Sequence, residues 1–159
     1  MIAEKITDVK KFMSEILIKD TFDKFLVNEV TITTFNTFHI DGYIKKDFYS
    51  KDEYESISSP VLSEWKALKP ICYEIIKGKK TPLSFKIILS LSKMDIAKFT
   101  EEYNIDFPIE NIDGLYINIK YENNELTYIT GTSLKIFSLD KTLEKAFDKH
   151  ILNFISTLF

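Results

Sequence analysis

The apolar positions change period several times along the chain, and each change marks an element. From Asp8 to Leu17, the residues Val9, Phe12, Met13, Ile16 and Leu17 recur at helical spacing, and Phe22, Phe25 and Leu26 continue an apolar face after Asp20. This predicts a helix and then a short further turn of helix. Between Val27 and Tyr49 the residues become β-branched and aromatic, and Asp41-Gly42 interrupts them with a pair suited to a type I′ turn. Two strands are predicted to pair around it. Lys51 to Ser59 is polar and ends at Pro60, the pattern of a surface connection.

Helical spacing resumes near Val61, and Pro70 then falls inside the pattern, which predicts a kink or a restart. Ile71, Cys72, Ile75 and Ile76 share one face of the segment that Gly78 is placed to end at its C′ position, and Lys77, Lys79 and Lys80 suit the negative end of the helix dipole. After Pro82 the period becomes two: Leu83, Phe85, Ile87, Leu89 and Leu91 alternate with Ser84, Lys86, Ile88, Ser90 and Ser92. This is the clearest strand. Ser92 is a predicted N-cap with Asp95 at the capping-box position, Ile96, Phe99 and Tyr103 give the next helix its core face, and Asn104 can close it. A two-residue Asn123-Asn124 turn would pair Tyr121 with Leu126, Ile119 with Tyr128 and Ile117 with Thr130. The chain ends in an amphipathic helix with Leu139, Leu143, Ala146, Phe147, His150, Ile151, Ile155 and Leu158 on one stripe, widened by Leu152, Phe154 and Phe159. The extra width offers a surface for a homodimer, although burial within the chain is the commoner use of such residues.

The segment Asp8-Val-Lys-Lys-Phe12 echoes Asp95-Ile-Ala-Lys-Phe99, and a hairpin and a helix follow each, so the order βαββα occurs twice and suggests an internal duplication. The fold class expected is α+β: a mainly antiparallel sheet from two hairpins plus a strand, with helices packed on it. The 159 residues suit a single domain spanning 1–159.

Composition narrows the function classes. A net charge of −3 with interspersed acids and bases gives no broad positive field for nucleic acid or membrane. All 21 basic residues are lysine, so no guanidinium fork is available for bidentate recognition. The lone cysteine, Cys72, cannot form an internal disulfide, and no apolar run approaches a signal-peptide core or a spanning helix. A cytoplasmic protein is the expectation.

Few residues invite chemistry. Lys77-Gly78-Lys79-Lys80-Thr81 resembles a phosphate-binding loop only in composition, because it runs from helix to strand and its lysines sit at a helix C-terminus, where carbonyls repel anions. His39 and Asp41, two apart on a strand, would share a face and could share a proton, which makes them the catalytic candidates. Cys72 reads as a core thiol and Gly131 as a strand glycine at a bulge or close approach. If the second hairpin shares a sheet with the Leu83 strand, Tyr116, Asn118, Lys120, Thr127, Ile129, Ser84, Lys86 and Ile88 point outward together. Such a mixed aromatic and lysine face could bind single-stranded nucleic acid, although the signature of an RNA-recognition motif is absent and a covering helix is an equally ordinary arrangement.

The strings Ile32-Thr-Thr-Phe-Asn-Thr-Phe-His-Ile-Asp-Gly42, Ile76-Lys-Gly-Lys-Lys-Thr-Pro-Leu-Ser-Phe85 and Thr130-Gly-Thr-Ser-Leu-Lys-Ile-Phe-Ser-Leu-Asp140 resemble an uncharacterised family of small bacterial proteins known only as a domain of unknown function. The resemblance spans nearly the whole chain and implies a stand-alone cytosolic protein. It carries over no activity, cofactor or catalytic residue. The leading expectation is therefore a non-catalytic binding or interaction domain with no cofactor or metal and with an unidentified partner. One alternative binds single-stranded nucleic acid or another anionic ligand through Lys77, Lys79, Lys80, Lys86, Tyr116 and Lys120. The other is a small hydrolase or isomerase using His39 and Asp41.

Overall fold

A computed structural model describes residues 1–159. The alternation after Pro82 becomes strand β4 (Ser84–Ser90), which buries Phe85, Ile87 and Leu89 and sits inside a six-stranded antiparallel sheet. The other strands are β1 (Ala3–Ile6), β2 (Leu26–Thr33), β3 (Thr37–Asp41), β5 (Ile112–Glu122) and β6 (Glu125–Leu134), in the spatial order β1-β6-β5-β4-β2-β3. Helices α1 (Val9–Leu17), α3 (Trp65–Ile76), α4 (Lys93–Glu102) and α5 (Thr142–Ser156) contribute to one core with the apolar sheet face; the short α2 (Lys51–Glu55) buries nothing. Sheet and helices thus form two layers, and an α+β fold results.

The second hairpin forms in the expected register: Tyr121 faces Leu126, Ile119 faces Tyr128 and Ile117 faces Thr130. Asn123 and Asn124 both take positive φ, 54° and 62°, which is what a type I′ turn requires and asparagine tolerates. Both expected ends of α4 form: Ser92 accepts from the Asp95 N–H, and Asn104 closes the helix at φ 51°. Asp8 caps α1 in the same way, accepting from the Lys11 N–H.

The first hairpin is displaced from its expected place. It turns at Thr34, Phe35 and Asn36, pairing Val30 with Ile40 and Ile32 with Phe38, whereas Asp41-Gly42 leaves β3. Gly42 has a different task. Its N–H donates to the Asn28 carbonyl and its carbonyl accepts from Ser63 N–H, so this residue threads between β2 and the segment before α3. A Cβ there would lie 1.8 Å from the Val27 carbonyl oxygen. The expected helical turn after Asp20 is an irregular turn, and Phe22 packs edge-on to Phe12 and Phe154.

Pro70 does not restart a helix; it lies inside α3, which begins at Trp65 rather than near Val61. Pro70 and Lys66 are both exposed, so water can take the Lys66 carbonyl that loses its helical partner. Continuity from Trp65 also resets the buried face to Trp65, Leu68, Cys72, Ile75 and Ile76, and leaves Ile71 53% exposed, against expectation. Lys51–Ser59 contains α2, closed by a full Ser50–Glu53 capping box. Leu139 lies before α5 and is 82% exposed, whereas Leu143, Phe147, Ile151 and Ile155 of the terminal stripe are buried. The element order βαββα does occur twice, apart from α2. Its copies are not placed alike, because β4 lies beside its hairpin strand β5 while β1 crosses to the far edge against β6.

A half-buried histidine makes stability depend on pH. His150 packs against Phe99 and Tyr103, with ring centroids 5.1 and 5.5 Å away, and burial pushes its pKa below the ordinary 6.5 despite the opposing charge of Glu102. The folded state therefore favours neutral imidazole. Its contribution is complete above about pH 6.5 and is lost as pH falls through the depressed folded value, where the unfolded chain binds the proton more readily. Urea midpoints measured from pH 7.5 down to 5 are expected to fall, and His150→Leu is expected to flatten that slope. An equal slope in the variant would refute this origin.

Candidate functional site

The strand alternation places two different surfaces on the two sides of the sheet. On the side away from the helices, cross-strand pairing aligns His39, Thr31, Lys86, Lys120, Thr127 and Lys5 in one row. Glutamates in the neighbouring rows neutralise its lysines. Lys86 Nζ lies 2.8 Å from Glu29, Lys120 Nζ 2.9 Å from Glu122 and Lys5 Nζ 2.9 Å from Glu125. No helix covers this face, yet it presents no surplus of positive charge.

Tyr116 stands on the same face next to two glycines. A Cβ on Gly114 would fall 2.3 Å from the Tyr116 hydroxyl oxygen, and one on Gly131, its partner across the strands, would lie 3.7 Å from Tyr116 Cβ. The ring thus shields bare backbone, and burial, then the charge of Asp113, raises its hydroxyl pKa. The bulge expected near Gly131 lies instead on the opposite strand, between Ile112 and Gly114.

His39 and Asp41 share this open face, both exposed. His39 Nδ1 lies 3.1 Å from Thr31 Oγ1. The Asp41 carboxylate accepts from Tyr43 N–H at 2.7 Å and from Lys45 Nζ at 3.0 Å, and these bonds, Lys45's first, hold its pKa below the usual carboxylate range. The carboxylate is thus engaged in fixing the chain beyond β3. Cys72 is buried on α3, where desolvation pushes the thiol up to about 12 and removes thiolate character at neutral pH. No three His, Cys, Asp or Glu side chains gather as metal ligands do.

On the helix side a cleft of about 620 Å³ opens where α1, the end of α3 and the first residues of β4 meet. Helical spacing turns Val9, Lys10, Met13 and Leu17 of α1 toward it. Tyr73 and Ile76 enter from α3, and Phe85 and Tyr121 form a stacked pair beside them, centroids 5.3 Å apart and planes within 14°. Gly78, at φ 144°, carries the chain out of α3 and past the mouth, followed there by Lys80, Thr81 and Pro82.

Charge around this cleft is one-sided, since Lys10, Lys77 and Lys80 line it and no aspartate or glutamate does. Lys77 is paired with Glu74 at 2.9 Å, whereas Lys10 and Lys80 form no ion pair. The lysines around Gly78 therefore differ in surroundings: Lys77 and Lys80 border the cleft, Lys79 is exposed outside it, and Lys86, Lys120 and Tyr116 lie on the opposite sheet face. Sequence reasoning did not single out Lys10, Met13, Phe85 or Tyr121 as site residues, because only packing of α1 beside α3 joins them. A second cleft, about 480 Å³, lies at the start of α4 and mixes Lys24, Lys93 and Lys98 with Glu64 and Asp95.

The terminal helix faces the core. Its stripe is buried in the core, Phe154 packs on Phe22 and Phe25, and Leu152 and Phe159 are the large apolar residues it and the chain end leave exposed. No helix of the protein is long and apolar enough to cross a membrane.

No curated protein and no solved structure is significantly similar to the chain. A family model does match, over residues 15–158, and its description is that of a family of unknown function. That span takes in every element from the end of α1 to α5 and most of the cleft lining, so the chain belongs to the DUF5721 family.

Proposed function

We infer that the chain is a non-catalytic binding domain and that the cleft between α1, α3 and β4 is its ligand site. The observation that carries this reading is the pairing of an apolar lining with a rim that holds lysines and no acid. Its volume of about 620 Å³ lies within the range of small-molecule sites, roughly 300–1,000 Å³. No nucleophile, base and orienting group converge there, which favours binding over turnover. The single buried thiol suits a reducing compartment, and with the family resemblance it supports a bacterial, cytoplasmic protein.

The other readings draw less support. Nucleic-acid binding through Lys86, Lys120 and Tyr116 would have to displace Glu29 and Glu122 and lift a ring that covers Gly114. Catalysis by His39 and Asp41 would need a carboxylate that Lys45 and Tyr43 already engage.

Calorimetric titration with dodecanol, a neutral apolar probe, tests the cleft reading. Saturable 1:1 binding is expected, and Val9→Trp, which narrows the mouth from the first turn of α1, is expected to weaken it about tenfold. Equal binding by that variant, or none by the parent chain, would refute the reading.

A further inference from the structure

The lysines at the mouth carry the assignment beyond an apolar site. We propose that the ligand is a long-chain carboxylate, with its alkyl chain along Met13, Ile76 and Phe85 and its carboxylate between the amines of Lys10 and Lys80. This rests on the cleft being the binding site.

Charge is the first argument. The chain holds 24 acidic residues against 21 lysines, yet three lysines and no acid line this cleft. Glu74 already neutralises Lys77, so two cations without ion-pair partners remain, Lys10 from α1 and Lys80 from the loop beyond Gly78. They belong to different elements and both line this cleft, and an anion placed between them answers both.

The form of the anion follows from what surrounds it. Lysine ammonium groups act as point charges without the fork that selects phosphate or paired carboxylates. The end of α3 at Ile76 borders the same mouth, and its terminal carbonyls carry partial negative charge. That end disfavours a dianion, and the single charge of a carboxylate matches the site better than a phosphate monoester. Beside Tyr73, Thr81 and Tyr121 the remaining lining is mostly apolar, contributed by Val9, Met13, Leu17, Ile76, Pro82 and Phe85, and gains by covering an alkyl chain rather than water.

Dodecanoate, dodecanol and dodecyl phosphate, each below its micelle concentration at pH 7.5 and low salt, separate these statements in calorimetric titrations of the full chain. Dodecanoate is expected to bind 1:1 and about tenfold more tightly than dodecanol, as two charge-assisted contacts at a partly exposed rim allow. The double variant Lys10→Met with Lys80→Met keeps apolar bulk at exposed positions. It is expected to lose that tenfold preference, with dodecanoate and dodecanol then binding alike, and an unaltered far-ultraviolet circular dichroism spectrum and urea midpoint show that it has folded. Equal affinity of the parent chain for dodecanoate and dodecanol would overturn the carboxylate assignment while leaving the cleft as a site. Tighter binding of dodecyl phosphate than of dodecanoate would overturn the choice of a monoanion. Absence of dodecanol binding, alone or with the other two, would remove the cleft reading itself.

Discussion

Trp65→Ala is expected to lower the unfolding free energy by about 3–5 kcal/mol, the largest effect of any single truncation in this fold. Trp65 is the only tryptophan and is fully buried at the start of α3. Its indole N–H donates at 2.7 Å to the Ile16 carbonyl, one of the acceptors that the last turn of α1 leaves without a helical partner. Its own backbone N–H donates to the Phe25 carbonyl. The side chain therefore ties α3 to the end of α1, while the backbone bond to the Phe22–Phe25 turn survives in the variant, and loss of the indole opens a cavity as well as a buried unpaired carbonyl. Trp65→Phe separates the two effects, with a loss of about 1–3 kcal/mol expected from the missing hydrogen bond and the smaller ring. Urea unfolding followed by far-ultraviolet circular dichroism reads both variants, and a loss below about 1 kcal/mol for Trp65→Ala would contradict this role.

Gly42→Ala is expected to cost about 2–4 kcal/mol, far more than an added methyl costs at an open position. The methyl carbon would lie 1.8 Å from the Val27 carbonyl oxygen, and because that atom is backbone, β2 must move to admit it. Such a shift strains the bonds that Gly42 makes to Asn28 and Ser63 and the one from Val27 N–H to the Ser63 carbonyl. Gly131→Ala is the control. Its new Cβ would meet Tyr116 at 3.7 Å, an ordinary contact, so a change within about 0.5 kcal/mol is expected. Similar losses in the two variants would show that close approach at Gly42 is not what sets its identity.

Gly42 also shows why one hairpin was legible in the sequence and the other was not. At Asn123-Asn124 the turn chemistry and the flanking alternation agree, so local residues sufficed to fix the register of nine cross-strand pairs, from Glu122–Glu125 to Gly114–Ser133. Around Gly42 they disagree. The residues that turn, Thr34-Phe35-Asn36, contain no glycine, and the glycine nearby answers a contact with Val27 and Ser63 that no local pattern announces. Pro70 brings no restart for a related reason, since burial of Trp65 and Cys72 on one continuous face outweighs the loss of one exposed hydrogen bond.

The candidate site divides along the same line. Alternation alone put Lys86, Lys120 and Tyr116 on the outward face with Glu122 two residues along from Lys120, but Glu29, which neutralises Lys86, is a neighbour on the adjacent strand, visible only once the register is known. Gly78 reads correctly as the residue that ends α3. The cleft it borders is a product of tertiary packing, because Lys10 and Lys80 are seventy residues apart in the chain and meet at one mouth only when α1 lies beside the end of α3.

Methyl-resolved NMR of the full chain titrated with dodecanoate tests the cleft directly. The expected result is a saturating set of shifts at Val9, Met13, Leu17 and Ile76, with Ile88 and Ile129 on the open sheet face and Val61 and Met94 at the second cleft unchanged. Shifts confined to the open face or to the second cleft, or no saturable shifts at all, would contradict it.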